Sequence, residues 1–412
     1  MNRPALRTRA EHGTTSGAIT WERAREAARD SAGQPLPAAV RALPEALGHT
    51  LAEPLTALTD LPPFDTSAMD GWAVAGTGPW RLRDGGVLAG GAEAAPLDQG
   101  TAVPVATGAR LPSGATSVLR REHGRATAPD GVLYWRTPEP AAPGRDVRPR
   151  GQECRRGDLL LAAGTTVTPA VLGLAAAAGY DRLTVHRRPT VELLLLGDEL
   201  LTSGLPRDGR VRDALGPLLP PLLRSAGAEV TGIRRVADDS WPLGAALRSS
   251  TADVVVTTGS TAAGPVDFLH HALGGLGARL PVDSVAVRPG HPMLLAELPP
   301  AADGRARLLV GLPGNPLAAV AGAVTLALPL LRRLAGRPDP SPRRVVAATD
   351  LPGCARDTRL LPVAFTGGGA VPLGFDGPAM LRGLALADAL AVVPPGGVAG
   401  GTTVEVLELT GH

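Results

Sequence analysis

Lysine is absent from this 412-residue chain, and all 41 basic residues are arginine. Because alanine, glycine and proline are also abundant, this absence indicates a compositional bias, and an isolated arginine is weak evidence for a binding site. An excess of charge is lacking too: the net charge of +2 gives no electrostatic footprint for nucleic acid. We therefore predict no nucleic-acid partner.

Cysteine is nearly absent as well. Cys154 and Cys354 are far apart in the chain and form no metal-binding or redox pattern. We expect no disulfide between them, which is typical of a reducing compartment. The N-terminal segment 1–17 is basic but has no apolar core of a secretory signal, so we predict a disordered tail and a cytoplasmic protein.

Long hydrophobic runs are rare. The longest, 317–331, is short for a membrane span and is followed by Arg332 and Arg333. This pattern predicts a buried helix and no membrane partner. A hydrophobic content of 44% and a charged content of 19% indicate a folded chain, and 412 residues predict several domains.

The order of short patterns predicts how the domains follow one another. Between Trp80 and Trp135, short apolar runs alternate with Gly/Pro turns, which is typical of a small β-domain. Residues 143–153 read as an arginine-rich linker, and Thr20 and Thr168 are predicted to be helix N-caps. From Val191 onwards, near-continuous apolar strands alternate with helices, which predicts an open α/β sheet of parallel strands. A second linker, 336–343, precedes a C-terminal β-domain.

The segment 62–74, PPFDTSAMDGWAV, carries two carboxylates and two hydroxyls without any amphipathic period. Its proline pair cannot continue a helix, and polar groups on a stiff loop often contact a ligand. The alternative is a surface turn in which the Asp and Ser side chains bond to their own backbone.

Three buried strands of the predicted α/β domain end in unusual turns, at 197–200 (GDEL), 258–264 (TGSTAAG) and 311–316 (GLPGNP). In open α/β sheets, ligands bind at this carboxyl edge, and glycine-rich loops before helices suit phosphate. Glu199 and Asp267 would lie at the same edge, where a hard cation such as Mg²⁺ would explain two acids beside a phosphate. The alternatives are that Asp198 and Glu199 form an ordinary charge pair at a helix N-terminus and that Asp267 is a solvated helix residue. We expect the adjacent His270 and His271 to be solvated rather than metal-binding, because neighbouring helix positions point in different directions.

These motifs, in this order, resemble those of the molybdopterin molybdenumtransferase family, which includes the C-terminal domain of gephyrin. The resemblance covers about residues 18–409 and rests on LPPFDTSAMDGWAV (61–74), ATGARLPSGA (106–115), GQECRRGD (151–158), RRPTVELLLLGDEL (187–200), TTGSTAAGPVDF (257–268), VRPGHP (287–292) and LPGNPLAAV (312–320). It implies an α/β multidomain fold with a central open α/β molybdopterin-binding domain, a small β-domain, an elongated linker domain and a C-terminal β-domain. The expected boundaries are 18–50 with 138–180 for the linker domain, 51–137, 181–335 and 336–412.

The resemblance also implies the site and its chemistry. The family inserts molybdate into adenylylated molybdopterin and releases AMP with a divalent cation, here expected to be Mg²⁺. It acts as a homodimer whose active site is completed by the partner subunit, and a transient contact with the molybdopterin adenylyltransferase is expected. The residues that match catalytic positions are Asp70, Thr107, Glu199 and Asp267, and the expected metal ligands are Asp70, Glu199 and Asp267. The residues expected to bind molybdopterin are Gly259, Ser260, Thr261, Gly264, Arg288, Pro313, Gly314, Asn315 and Pro316.

Several ligand-side positions depart from the family pattern. They are Ala262, which stands where the family has Ser, together with Leu215, Ser284, His291, Pro378 and Pro104. Each lost hydrogen bond would cost on the order of 1 kcal/mol of affinity. Two alternatives to a molybdenum-inserting enzyme therefore stay open: a degenerate paralogue that acts as a molybdopterin-binding scaffold or regulator, and an enzyme that handles tungsten or a modified pterin.

Overall fold

A computed structural model describes residues 17–91, 94–127, 131–136, 142–261, 267–301 and 303–409. The predicted N-terminal tail, apart from Gly17, and the predicted ligand-binding residue Gly264 lie outside these ranges. The chain forms two compact units: one comprises Val40–Val185, and the other comprises the residues up to Ala39 together with those from His186 onwards.

The described helices are short, and two of them begin at the residues that the sequence indicates. In chain order they are α1 (Trp21–Ala32), α2 (Leu43–Ala46), α3 (Pro169–Ala177), α4 (Leu215–Ser225), α5 (Ser240–Ser249), α6 (Phe268–Leu276), α7 (Pro316–Gly322), α8 (Leu328–Leu334) and α9 (Arg382–Leu386). The side chains of Thr20 and Thr168 accept hydrogen bonds from the first turns of α1 and α3, which confirms both as N-caps.

The strands are distributed over several sheets. They are β1 (Ala38–Ala42), β2 (Thr50–Leu51), β3 (Leu55–Thr56), β4 (Thr66–Ser67), β5 (Gly71–Val74), β6 (Trp80–Leu82), β7 (Thr101–Val105), β8 (Ser117–Arg120), β9 (Gly124–Thr127), β10 (Val132–Trp135), β11 (Val147–Arg148), β12 (Leu159–Leu161), β13 (Arg182–His186), β14 (Thr190–Leu196), β15 (Leu200–Leu201), β16 (Val211–Arg212), β17 (Glu229–Val236), β18 (Val254–Thr258), β19 (Arg279–Val282), β20 (Val287–Arg288), β21 (Leu294–Leu298), β22 (Arg307–Leu312), β23 (Arg343–Val346), β24 (Thr358–Thr366), β25 (Gly369–Pro372), β26 (Ala389–Val393) and β27 (Thr403–Glu408).

The unit Val40–Val185 contains the predicted small β-domain as a six-stranded sheet in the order β8-β5-β7-β6-β10-β9. Its second strand, β5, is the end of the PPFDTSAMDGWAV segment and pairs antiparallel with both β7 and β8. The linker interpretation of residues 143–153 is wrong, because β11 pairs antiparallel with β4 and so lies against that same segment.

The larger unit contains a six-stranded sheet in the order β17-β14-β18-β22-β21-β19. The first four strands run parallel, as predicted, whereas β21 and β19 add an antiparallel edge that the sequence did not indicate. Leu193 and Leu195 of β14 pack in one apolar cluster with α4 and the α7–α8 helix. Leu194 and Leu196 pack in another with α5 and α6. Burial on both faces explains why this strand is almost continuously apolar.

One helix in the larger unit is unusually apolar. Helices α7 and α8 are joined by a five-residue π-helical turn, Ala323–Ala327, into a continuous helix. Within the part of the chain that the structure describes, this helix, Pro316–Leu334, is the one long and apolar enough to cross a membrane, and 89% of its most apolar window is buried inside the protein. The prediction of a buried helix is confirmed.

A third sheet, with the order β20-β24-β26-β27-β23, forms the C-terminal part of the larger unit, and β25 pairs with β24. Its first strand, β20, comes from the VRPGHP segment and pairs parallel with β24. The C-terminal β-domain is therefore joined to the α/β region by sheet pairing and not only by the linker before it.

Candidate functional site

The loop of the PPFDTSAMDGWAV segment brings together two residues that the sequence predicts to act in one site. Asp70 Oδ1 accepts a hydrogen bond from the Thr107 N–H at 2.7 Å and another from the Thr107 hydroxyl at 3.0 Å. Both residues are exposed. The two bonds from Thr107, aided by the nearby Arg121 guanidinium, hold the pKa of Asp70 below its usual range. An ionised, oriented carboxylate is thus presented at the surface of this unit.

The other polar residues of the segment shape the loop. The Ser67 side chain is buried, and its hydroxyl donates to the Met69 carbonyl. Asp65 Oδ1 accepts a hydrogen bond from the Arg150 N–H at 2.7 Å, which connects the loop to the segment 143–153. A Cβ at Gly71 would lie 2.0 Å from the Leu119 carbonyl oxygen, so only glycine fits beside β8. Ser67 therefore bonds to its own backbone, as the turn alternative states, although it is buried and not at the surface. Asp65 also accepts a backbone N–H, whereas Asp70 accepts hydrogen bonds from a different loop.

In the larger unit, the glycine-rich loop and the PGNP turn lie side by side. The Gly259 N–H donates to the Leu312 carbonyl at 2.8 Å, and a Cβ at Gly314 would lie 3.6 Å from Gly259 Cα. Parallel pairing of β18 with β22 places the two turns at the same strand ends. Pro313 and Thr261 are buried, whereas Gly314 and Asn315 are exposed. Ser260 and Pro316 are half-buried between them.

Glu199 lies at the end of β14 on the same sheet and is exposed. A residue that the sequence analysis missed, Asp238, lies beside it: the Asp198 N–H donates to Asp238 Oδ2 at 3.4 Å. Burial, together with the negative charges of Asp198 and Glu199, raises the pKa of Asp238 above its usual value. Asp238 follows the strand β17, so extending the strand-end rule to this fourth strand would have found it.

Asp267 caps α6. Its Oδ1 accepts from the His270 N–H at 3.0 Å and contacts His270 Nδ1 at 2.8 Å, while His270 Nε2 contacts Asp283 Oδ1. The interpretation of His270 as solvated is wrong, because its ring lies between two carboxylates. Burial acts to lower the pKa of His270, but its bonds to Asp283 and Asp267 outweigh burial and raise that pKa. His271 is exposed, and its Nδ1 contacts the Asp267 carbonyl at 2.7 Å.

The N-terminus of α7, which follows the PGNP turn, is already hydrogen-bonded. The N–H groups of Leu317 and Ala318 both donate to the Pro378 carbonyl, at 2.9 and 3.2 Å. Nearby, Arg288 Nε donates to Asp357 Oδ2 at 2.8 Å. The predicted ligand-binding Arg288 is thus paired with a carboxylate of the C-terminal β-domain.

Three consecutive segments match parts of one protein family. Residues 19–179 match the MoeA N-terminal region (domain I and II), residues 192–333 a probable molybdopterin binding domain, and residues 344–409 the MoeA C-terminal region (domain IV). The fold and the three turns at one strand edge therefore define a multidomain α/β protein with a molybdopterin-binding type of central domain.

Relatives match over nearly the whole chain. Molybdopterin molybdenumtransferase 2 of Mycobacterium tuberculosis (strain ATCC 25618 / H37Rv) is 32% identical over 393 residues, which cover 89% of this chain and 94% of that protein. Molybdopterin molybdenumtransferase of Staphylococcus aureus (strain N315) is 28% identical, with coverages of 90% and 91%. The crystal structure of the molybdopterin biosynthesis MoeA protein from Pyrococcus horikosii superposes with a TM-score of 0.73 at 26% identity, and covers 96% of this chain and 100% of that one. The chain belongs to the MoeA family of molybdopterin molybdenumtransferases.

Proposed function

We propose that this protein is a molybdenumtransferase of molybdenum cofactor biosynthesis, which inserts molybdate into adenylylated molybdopterin and releases AMP. The observation that carries this proposal is the Asp70 carboxylate, exposed and held by both donors of Thr107 at the positions that the family resemblance marks as catalytic. Its lowered pKa keeps it ionised at neutral pH.

The turns at the carboxyl ends of the parallel strands support the proposal that the larger unit binds the phosphate of a pterin. The loop at Gly259–Thr261 contacts the PGNP turn, and the exposed Gly314 and Asn315 leave backbone and amide groups available to a ligand. Helix-terminus contacts contribute only about 0.3–1 kcal/mol each, whereas micromolar affinity needs roughly 8 kcal/mol. The pterin body must therefore supply most of the binding free energy.

The acidic residues fit a magnesium ion by their chemistry, because Mg²⁺ prefers a few carboxylate oxygens and keeps several waters. Among the hydrogen bonds formed within the described ranges, Asp70 and Asp267 use only Oδ1, and Glu199 is exposed. Each can thus offer an oxygen. No group of three His, Cys, Asp or Glu residues within the described part of a single chain is arranged to hold a metal. When bound, the ion would neutralise phosphate charge.

Asp70 belongs to one compact unit, and Glu199 and Asp267 belong to the other. The family resemblance implies a homodimer, and we include in the proposal that Asp70 of one subunit completes the site of its partner. Mixing Asp70→Asn chains with Glu199→Gln chains tests this arrangement. If the site is shared between subunits, each heterodimer has one intact site and one site with both substitutions, and should recover about half of the wild-type activity. If the site lies within one subunit, both sites carry a substitution and no activity is recovered.

The decisive assay supplies purified protein with adenylylated molybdopterin, molybdate and Mg²⁺ and measures AMP. Molybdate-dependent AMP release supports the transferase. Absence of release from protein that is folded and dimeric would rule it out. Replacing molybdate by tungstate in the same assay decides which metal is inserted.

A second candidate function is a non-catalytic scaffold or regulator that binds molybdopterin weakly. It is favoured by internal pairing of ligand-side groups: Arg288 with Asp357, and Ser284 with His291 Nδ1 at 3.1 Å. These groups must break existing bonds before they can bind a ligand. Titration calorimetry with molybdopterin separates the two functions, because submicromolar binding contradicts a degenerate pocket.

A further inference from the structure

A cavity of about 520 Å³ lies in the larger unit, bordered by α1, the second half of the long helix and β27. It is remote from the PGNP turn: Pro316 and Arg332 are separated by roughly 24 Å at 1.5 Å per helical residue. None of the residues assigned above to the transferase lines it. An inference about this cavity is therefore independent of the proposed function.

The charged residues that line the cavity are four arginines and five carboxylates: Arg25, Arg29, Arg332 and Arg343 with Glu22, Glu26, Asp339, Glu405 and Glu408. Arg343 forms an ion pair with Glu408. Arg29 forms an ion pair with Asp339. Arg25 lies over the Trp21 ring, with its guanidinium carbon 4.9 Å from the ring centroid, and donates to the Val324 carbonyl at 2.6 Å. Within the described residues, neither Arg25 nor Arg332 has a carboxylate at ion-pair distance, so two guanidinium groups have no anionic partner.

The environment of these arginines disfavours their charge. Burial, and then the positive charge of Arg29, lower the pKa of Arg25 to about 10, with Asp339 and Glu405 offsetting only part of the effect. Burial also lowers the pKa of Arg332. Buried charges in proteins are normally paired, because an unpaired one loses its hydration without compensation. An anion in the cavity would restore that compensation.

One wall of the cavity is formed by the long helix at and just after its π-helical turn. Val324 and Leu328 line the cavity, and Val324 belongs to the π-helical turn Ala323–Ala327. Helix α1 contacts this turn twice, through Arg25 and through Trp21 Nε1, which donates to Thr325 Oγ1 at 3.1 Å. Such π turns are rare and occur often at functional sites.

We propose that this cavity binds a small organic anion, with its phosphate or carboxylate group between Arg25 and Arg332 and its apolar body against Trp21 and Leu328. A guanidinium presents paired N–H donors that match either oxyanion. The apolar wall selects an anion that carries an organic group over an inorganic one.

Calorimetric titration of the full chain at constant ionic strength tests this proposal with phenyl phosphate, benzoate and inorganic phosphate as probes. We expect saturable binding of phenyl phosphate or benzoate, and the tighter of the two identifies the oxyanion. Inorganic phosphate should bind at least tenfold more weakly than phenyl phosphate. Arg25→Gln and Arg332→Gln should each weaken binding at least tenfold. Arg23→Gln is the matched control, because Arg23 lies on the same helix with 76% of its side chain exposed, and it should bind like the wild type.

Thermal unfolding without any probe gives a second readout. Arg332→Met should leave the melting temperature unchanged or raise it, because it removes an unpaired charge that is half-buried and replaces it with an apolar side chain. Failure of both organic anions to bind, equal binding by all variants, or a marked fall in the melting temperature of Arg332→Met would overturn the proposal.

Discussion

The two regions that carry the predicted site residues differ in how their polar groups are held. In the unit Val40–Val185, Asp70 is fixed by Thr107 and still presents an ionised carboxylate at the surface. At the strand edge of the larger unit, Asp267 is engaged by His270, and Arg288 by Asp357. One region leaves its carboxylate exposed to solvent, and in the other the polar side chains are partly paired with one another. The difference shows that a motif can keep its sequence while the surroundings decide how available its groups are.

The comparison is tested most strongly at Asp70. Asp70→Asn should lower the rate of AMP release by about 10²–10³, the range seen when one oriented electrostatic group is removed. The fold should be unaffected, because Asp70 is exposed. Asp65→Asn is the matched control on the same loop, because Asp65 holds the Arg150 N–H, and its rate should stay within a few-fold of the wild type. Equal losses in both variants would contradict the assignment.

Gly71→Ala tests why the loop has its shape. The added Cβ would meet the Leu119 carbonyl at 2.0 Å, so we expect a destabilisation of about 1–3 kcal/mol, typical of overpacking, in denaturant unfolding. Gly173→Ala is the control in the same unit, because a Cβ there meets nothing within 4 Å inside helix α3. That change should instead stabilise the protein by about 0.4–1 kcal/mol.

His270→Gln tests whether the contacts of His270 with Asp267 and Asp283 stabilise the protein, through the pH dependence of its melting temperature. The pKa of His270 is raised in the folded state, so its contribution to stability is full below the unfolded pKa of about 6.5 and is lost as pH rises through the folded value. The melting temperature of the wild type should therefore fall more than that of His270→Gln as the pH is raised from about 6 through the range above the unfolded pKa. His271→Gln, at the exposed neighbour, should follow the wild type. Parallel curves for all three proteins would show that the His270 contacts do not matter.

Arg288→Gln should have the smallest effect on folding. Half of the Arg288 side chain is exposed, so losing its pair with Asp357 should change the free energy of unfolding by only about 0–1 kcal/mol. If the transferase reading is correct, the same change should weaken molybdopterin binding about tenfold, the equivalent of about 1.4 kcal/mol from a charge-assisted bond. Unchanged binding in calorimetry would favour the scaffold.

Local chemistry in the sequence anticipated much of the fold. Thr20 and Thr168 were identified as caps because an N-cap depends on a few neighbouring residues. The strand β14 was predicted because burial on both faces leaves a continuous apolar run. The edge strand β19 was missed because it is partly exposed and contains a proline. Its neighbour β21 is buried but was missed because Glu297 interrupts its apolar residues. Asp238 was missed because its signal is only its position after a strand.

By itself, the sequence determined most of the elements, the family and those candidate site residues that lie in motifs, because these depend on local periodicity, capping and motif order. Only the tertiary structure decided what those residues contact. Asp70 meets Thr107, His270 meets Asp283, and the Pro378 carbonyl meets the start of α7. These partners are separated along the chain by turns and whole strands, and hydrogen bonds form only where the packed backbone brings donor and acceptor within about 3 Å of each other.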